Sequence, residues 1–107
     1  MDLSPGPETV KAPDRRRQAN RRRILSFLIK DEGHEYRATG SWFENGKLAE
    51  IFLHAPGKMG TPLQANADTA AILVSLLLQY GVAPEVIAHS ITGPIAIALQ
   101  AFMGESA

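Results

Sequence analysis

His34-Glu35-Tyr36-Arg37-Ala38-Thr39-Gly40-Ser41-Trp42-Phe43, Glu44-Asn45-Gly46-Lys47 and Leu48-Ala49-Glu50-Ile51-Phe52-Leu53-His54 follow one another, and the reading of this run decides the fold. An Asn-Gly pair tolerates positive φ at both central positions of a tight turn, and here it separates two strand-like stretches. The pattern predicts a β-hairpin. Upstream, Ile24-Leu25-Ser26-Phe27-Leu28-Ile29 closes on Asp31-Glu32-Gly33 and reads as a further strand, giving a three-stranded antiparallel meander. A helix continuing from the preceding arginines competes for the same residues.

Downstream, Ala55 to Pro62 holds two prolines and two glycines in eight residues, a loop by composition. A helix is predicted from about Leu63 to Tyr80. Its polar residues Asp68, Ser75 and Gln79 share a narrow stripe, and nearly everything else from Ala67 to Leu78 is apolar. A helix so widely apolar needs cover on more than one side, from the sheet and from later helices or a second subunit. Gly81 suits the residue just past a helix end, and Pro84 the first turn of a short helix to His89. Gly93-Pro94 opens a last helix through Phe102, ended by Gly104. The order implies an α+β fold: a three-stranded antiparallel meander followed by two to three helices packed on one face.

With 107 residues there is room for one domain. Residues 1–23 read as a disordered basic arm, 24–104 as the α+β domain and 105–107 as a tail. Residues 1–14 contain three prolines and almost no large apolar side chain, too little to offset the entropy of ordering. The formal net charge of zero hides an asymmetry: seven cations against three carboxylates in 1–23, four against eight in 24–107. The N-terminus lacks the apolar core of a secretory signal, and the longest apolar stretch, Ala70 to Leu78, is far short of a membrane span. A soluble, cytoplasmic protein without membrane contact is expected. The chain has no cysteine, which excludes disulfides, Fe–S clusters, thiolate metal sites and thiol nucleophiles.

No catalytic constellation is recognisable. His34, His54 and His89 fall on three different predicted elements without ligand spacing, so no metal site is expected. Glu50, in mid-strand between Ala49 and Ile51, should face solvent opposite Ile51, or else contact a ligand or partner. The loop Pro56-Gly57-Lys58-Met59-Gly60-Thr61 leads into a helix N-terminus, where Lys58 and Thr61 are candidate contacts for an anion or partner. Its lysine precedes the second glycine, unlike a phosphate-binding Gly-x-x-x-x-Gly-Lys-Ser/Thr loop, so a plain connector is the simpler reading. Arg15, Arg16, Arg17, Arg21, Arg22 and Arg23 could grip nucleic acid non-specifically, an acidic protein face or an anionic surface. The plainer alternative is a solubilising tail, or one docking on the acidic domain.

The segments Ala49-Glu50-Ile51-Phe52-Leu53, Asp68-Thr69-Ala70-Ala71-Ile72-Leu73-Val74-Ser75-Leu76-Leu77-Leu78-Gln79-Tyr80-Gly81-Val82 and Gly93-Pro94-Ile95 resemble the TSCPD domain. That domain occurs at the C-terminal end of adenosylcobalamin-dependent (class II) ribonucleotide reductases and as small free-standing proteins. The resemblance spans about Ile24 to Phe102 and not the arm. It implies an association with ribonucleoside-diphosphate reductase and deoxyribonucleotide synthesis. The family's name records a cysteine-containing motif that this chain lacks, and the thiyl and reducing cysteines of reduction belong to a large barrel absent from it. The expectation is therefore an accessory domain, non-catalytic alone and without its own cofactor, adenosylcobalamin entering only by association. Its expected partner is a protein, a reductase large subunit or a second copy, met through Leu73, Leu76 and Leu77. A nucleic-acid-binding protein using the arginine arm is the competing expectation.

Overall fold

Two turns of different type set the sheet in the computed structural model, which describes residues 21–105, with side chains from Arg23 onward. Strand β1 (Arg21–Asp31) passes to β2 (His34–Phe43) through Glu32 and Gly33, both at positive φ, 52° and 77°. That is the two-residue turn whose twist matches the strands. The Asn-Gly turn between β2 and β3 (Leu48–His54) is built otherwise: only Gly46 has positive φ, 85°. Gly46 N–H donates to the Phe43 carbonyl at 3.0 Å, and Phe43 N–H donates to that of Lys47 at 2.8 Å. Asn45 stays at negative φ, and its Oδ1 accepts from Lys47 N–H at 3.0 Å, an Asx turn within a loop one residue longer than the first.

The sheet is antiparallel in the order β1-β2-β3, the predicted meander. Residues 24–29 are strand and not helix: Leu25, Phe27 and Ile29 turn toward the helices while Ile24, Ser26 and Leu28 stay outside. Because β1 begins at Arg21, the last three arginines of the segment read as an arm form the start of the sheet. The other residues of that segment, with Arg15, Arg16 and Arg17, lie outside the described residues, as do residues 106–107 of the tail.

Helices α1 (Pro62–Gln79), α2 (Pro84–Ser90) and α3 (Pro94–Met103) lie on one face of the sheet. Thr61 caps α1, its Oγ1 accepting from Gln64 N–H at 3.3 Å, with Pro62 in the first turn. At the other end Gly81, φ 92°, donates to the Leu78 carbonyl and Val82 N–H to that of Leu77, each at 3.0 Å. This paired closure is what Gly81 was predicted to supply. Phe102 of α3 is the fully buried wedge, its ring 5.2 Å from that of Phe27 and edge-on to Trp42 at 5.7 Å. Gly40 makes room for it: a Cβ there would sit 2.8 Å from two Phe102 ring carbons.

The polar stripe of α1 faces the sheet, not solvent. The Ser75 hydroxyl accepts from Ile51 N–H at 2.9 Å and donates to the Ile51 carbonyl at 3.0 Å. Gln64 Oε1 accepts from Ala55 N–H at 2.6 Å, and its Nε2 donates to the Leu53 carbonyl at 3.0 Å; Gln79 Nε2 donates to that of Ala49 at 3.2 Å. Ala49, Ile51 and Leu53 alternate along β3 and Ala55 follows its end, so these are the backbone groups turned away from β2. Helix α1 thus stands where a fourth strand would pair, satisfying an edge that buried backbone cannot leave open. Asp68, the third member of the predicted stripe, remains exposed and accepts from Gln64 Nε2 at 2.7 Å.

Candidate functional site

With Gln64, Ser75 and Gln79 committed to the β3 edge, and Ala67, Ala71, Val74 and Leu78 in the core, α1 turns the rest of its apolar surface outward. Ile72, Leu73, Leu77 and Tyr80 are exposed, at spacings that keep them on one side of the helix, with the half-buried Leu76 among them. No charged residue occurs between Asp68 and Glu85. All three leucines singled out from sequence lie on this stripe, Leu73 and Leu77 exposed and Leu76 half-buried. Ile72 and Tyr80 were missed, because the inward direction of Ser75 and Gln79 had to be known first.

The sheet face without helices carries three exposed apolar side chains among polar ones. Register aligns Ile24, Ser41 and Glu50 in one row, Ser26, Thr39 and Phe52 in the next, and Leu28, Arg37 and His54 in the third. Ile24, Leu28 and Phe52 are all at least half exposed. The Ser26 and Thr39 hydroxyls meet at 2.9 Å. Glu50 lies on this face, opposite the fully buried Ile51, but it is half-buried and its Oε1 is shut off from solvent.

Lys58 and Thr61 lie beyond the end of β3, in two consecutive turns closed by Lys58 N–H to the Ala55 carbonyl and Thr61 N–H to that of Lys58. The Thr61 hydroxyl donates to the Lys58 carbonyl and accepts from Gln64 N–H, so the helix N-terminus is capped from within. Thr61 shares an open trough with Met59, Pro62, Gln64 and Asp68, away from the row that holds Glu50. The three candidate contacts therefore fall on two separate surfaces. His34 and His54 end two strands and His89 lies in α2; among the described residues no three His, Asp or Glu side chains cluster.

Arg23 is drawn inward. Its guanidinium carbon lies 4.5 Å over the Trp42 ring, and Nη2 donates to the Glu105 carbonyl with that residue's carboxylate 3.8 Å away. This contact ties the start of β1 to the end of α3, the aromatic face and the anion both favouring the cation. At the opposite end of the sheet, burial pushes the Tyr36 phenol above its ordinary range, with Asp31 adding in the same direction. A cleft of about 400 Å³ opens between the Asn-Gly loop and the helix ends, floored by Leu48, Leu78, Val82 and Phe102, with Lys47 and Glu85 among its lining residues. It brings together no nucleophile and matched base. No helix of the described residues is long and apolar enough to cross a membrane.

Comparison with protein families matches the TSCPD domain over residues 8–101. The chain belongs to the TSCPD domain family. Curated proteins and solved structures gave no match. The TSCPD match begins at residue 8, not near Ile24, so it takes in most of the segment read from sequence as a separate arm. TSCPD domains are known from ribonucleotide reductases. This one contains no cysteine.

Proposed function

We propose that this TSCPD protein is an accessory module of deoxyribonucleotide synthesis, non-catalytic alone, that docks on the large polypeptide of a ribonucleotide reductase through the apolar stripe of α1. The observation that carries the proposal is the stripe itself, taken with the family. Ile72, Leu73, Leu77 and Tyr80 stand open on a helix whose Gln64, Ser75 and Gln79 are spent inside, and a docked protein surface would remove them from water. In this reading the thiol and radical chemistry of reduction, and the adenosylcobalamin that goes with it, belong to the partner. A cysteine-free chain has no thiol to contribute, and the cleft near Phe102 is lined by neither histidine nor cysteine.

The test is capture with the tagged full chain from its own host at low salt after nuclease treatment, read by mass spectrometry. A reductase large polypeptide should co-purify with the parent and be lost with Leu73→Asp/Leu77→Asp, while circular dichroism of the variant stays that of the folded parent. A reductase retained equally by the variant would refute docking through α1, and its absence from the parent would refute the partner. The nucleic-acid reading is weaker for a specific reason: Arg23, one of six arginines invoked for it, is engaged by Trp42 and Glu105.

A further inference from the structure

The two edges of the sheet are treated differently. The β3 edge is filled by Gln64, Ser75 and Gln79 of α1. Strand β1 is the other edge, 11 residues long, and among the described residues its backbone pairs only with β2. It carries neither the proline nor the bulge over residues 24–31 by which edge strands are commonly blunted; the one register shift lies between Arg21 and Arg23. Its side chains are also the least enclosed of the sheet. Ile24 and Leu28 are 59% and 57% exposed on the outer face, and Leu25 and Phe27 are only half-buried on the inner one.

We infer that β1 pairs antiparallel with β1 of a second copy of this chain, about a twofold axis at Ser26, to give a continuous six-stranded sheet. The strand is self-complementary in that register. Residue i of one copy lies opposite residue 52 − i of the other, so Ile24 meets Leu28 on the outer face, and Leu25 meets Phe27 on the inner one. Charge follows the same symmetry. The strand opens with three arginines and ends in Asp31 followed by Glu32, and the antiparallel arrangement sets the basic end of each copy beside the acidic end of the other. Lys30 has Glu35 alongside it across β2. A parallel arrangement would instead stack the arginines on each other. Because i and 52 − i have the same parity, the outward-turned backbone groups of one strand meet those of the other, allowing about six hydrogen bonds over the regular stretch on either side of Ser26. This contact leaves α1, at the opposite edge, free for a different partner.

A cysteine-free chain makes the register directly testable. Paired residues at the axis have Cα atoms about 4.5 to 5.5 Å apart, within the roughly 4.4 to 6.8 Å a disulfide accepts. Ser26→Cys, mildly oxidised, should convert to a disulfide-linked dimer, while Ser90→Cys, on the short exposed α2, and Leu77→Cys, on α1, should stay unlinked. The unmodified full chain should sediment at about twice 11.6 kDa, and Ile24→Lys/Leu28→Lys should return it to monomer with unchanged circular dichroism. Either of two results overturns the inference: a monomeric parent at about 100 μM, where a contact of micromolar Kd is saturated, or a dimer that links through Leu77→Cys and not through Ser26→Cys.

Discussion

Replacing Ser75 by alanine tests the central feature of the fold, a helix standing in for a strand. The hydroxyl serves both backbone groups of Ile51, at 2.9 and 3.0 Å, in a place where Ser75 is 6% and Ile51 0% exposed. Alanine removes one acceptor and one donor while leaving the N–H and carbonyl buried. Each group left without a partner costs about 1 to 3 kcal/mol. The carbonyl, with two lone pairs, belongs at the low end, so the expected loss is roughly 2 to 4 kcal/mol. A domain of this size holds about 5 to 15 kcal/mol in all, so the variant should fold with a clearly lowered midpoint. Trp42, the only tryptophan and 2% exposed, reports urea unfolding through its fluorescence. Amide exchange adds a local readout, since Ile51 N–H should lose more protection than Thr39 N–H in the middle of β2. Ser75→Val provides the contrast, because it has no hydroxyl but fills more space. If Ser75→Ala costs less than about 0.5 kcal/mol, or Ser75→Val is neutral, α1 packs on the sheet edge without serving its backbone, and the reasoning fails.

Gly40→Ala drives a Cβ into the Phe102 ring and should cost about 1 to 3 kcal/mol in urea unfolding; Phe102→Leu in the same chain should recover part of that loss. Glu32 holds a left-handed conformation at φ 52°, so Glu32→Asn should raise stability by about 1 kcal/mol, read as a higher melting temperature. Tyr36 is neutral when buried and its pKa is raised, first by burial and then by Asp31. Its contribution to stability is therefore fully present below the ordinary tyrosine pKa of about 10 and is lost as pH rises through the higher folded value. Tyr36→Phe should flatten that alkaline loss and remove a late step from the tyrosinate absorbance titration.

The meander, the three helices and their glycine boundaries were legible because each rests on local chemistry: an Asn-Gly loop, a helix closed at Gly81, Gly93-Pro94 opening α3. The direction of α1 was not. Periodicity groups Ser75 with Gln79 on one stripe but does not say whether that stripe meets water or an unpaired strand. The choice is made by β3, whose outward-turned N–H and carbonyl groups at Ile51 and Leu53 need partners more than its edge needs apolar cover. Glu50 was located on the correct face, but its half-burial depends on how the sheet is enclosed around it, which no local signal encodes. Thr61 looked like an available hydroxyl and is a helix cap, a role that the following Pro62 already hinted at. Arg23 counted from sequence as one of six like cations, and only tertiary pairing with Trp42 and Glu105 separates it from them.

The exposed stripe follows from the edge seal. A helix has one circumference, and on α1 the side facing β3 is taken by glutamine and serine, the adjoining side by the small core residues Ala67 and Ala71 with Val74 and Leu78. A free-standing domain would be expected to carry charge on what remains. Ile72, Leu73, Leu77 and Tyr80 occupy it instead, in a segment without a single charged residue from 69 to 84. Neighbouring leucines on this helix should then diverge under the same substitution. Leu78→Asp, buried against the sheet, should prevent folding, whereas Leu77→Asp, open to solvent, should leave the fold intact and remove only the binding of a partner. If the two variants unfold alike, the stripe is part of the domain's own core and not a surface kept for another molecule.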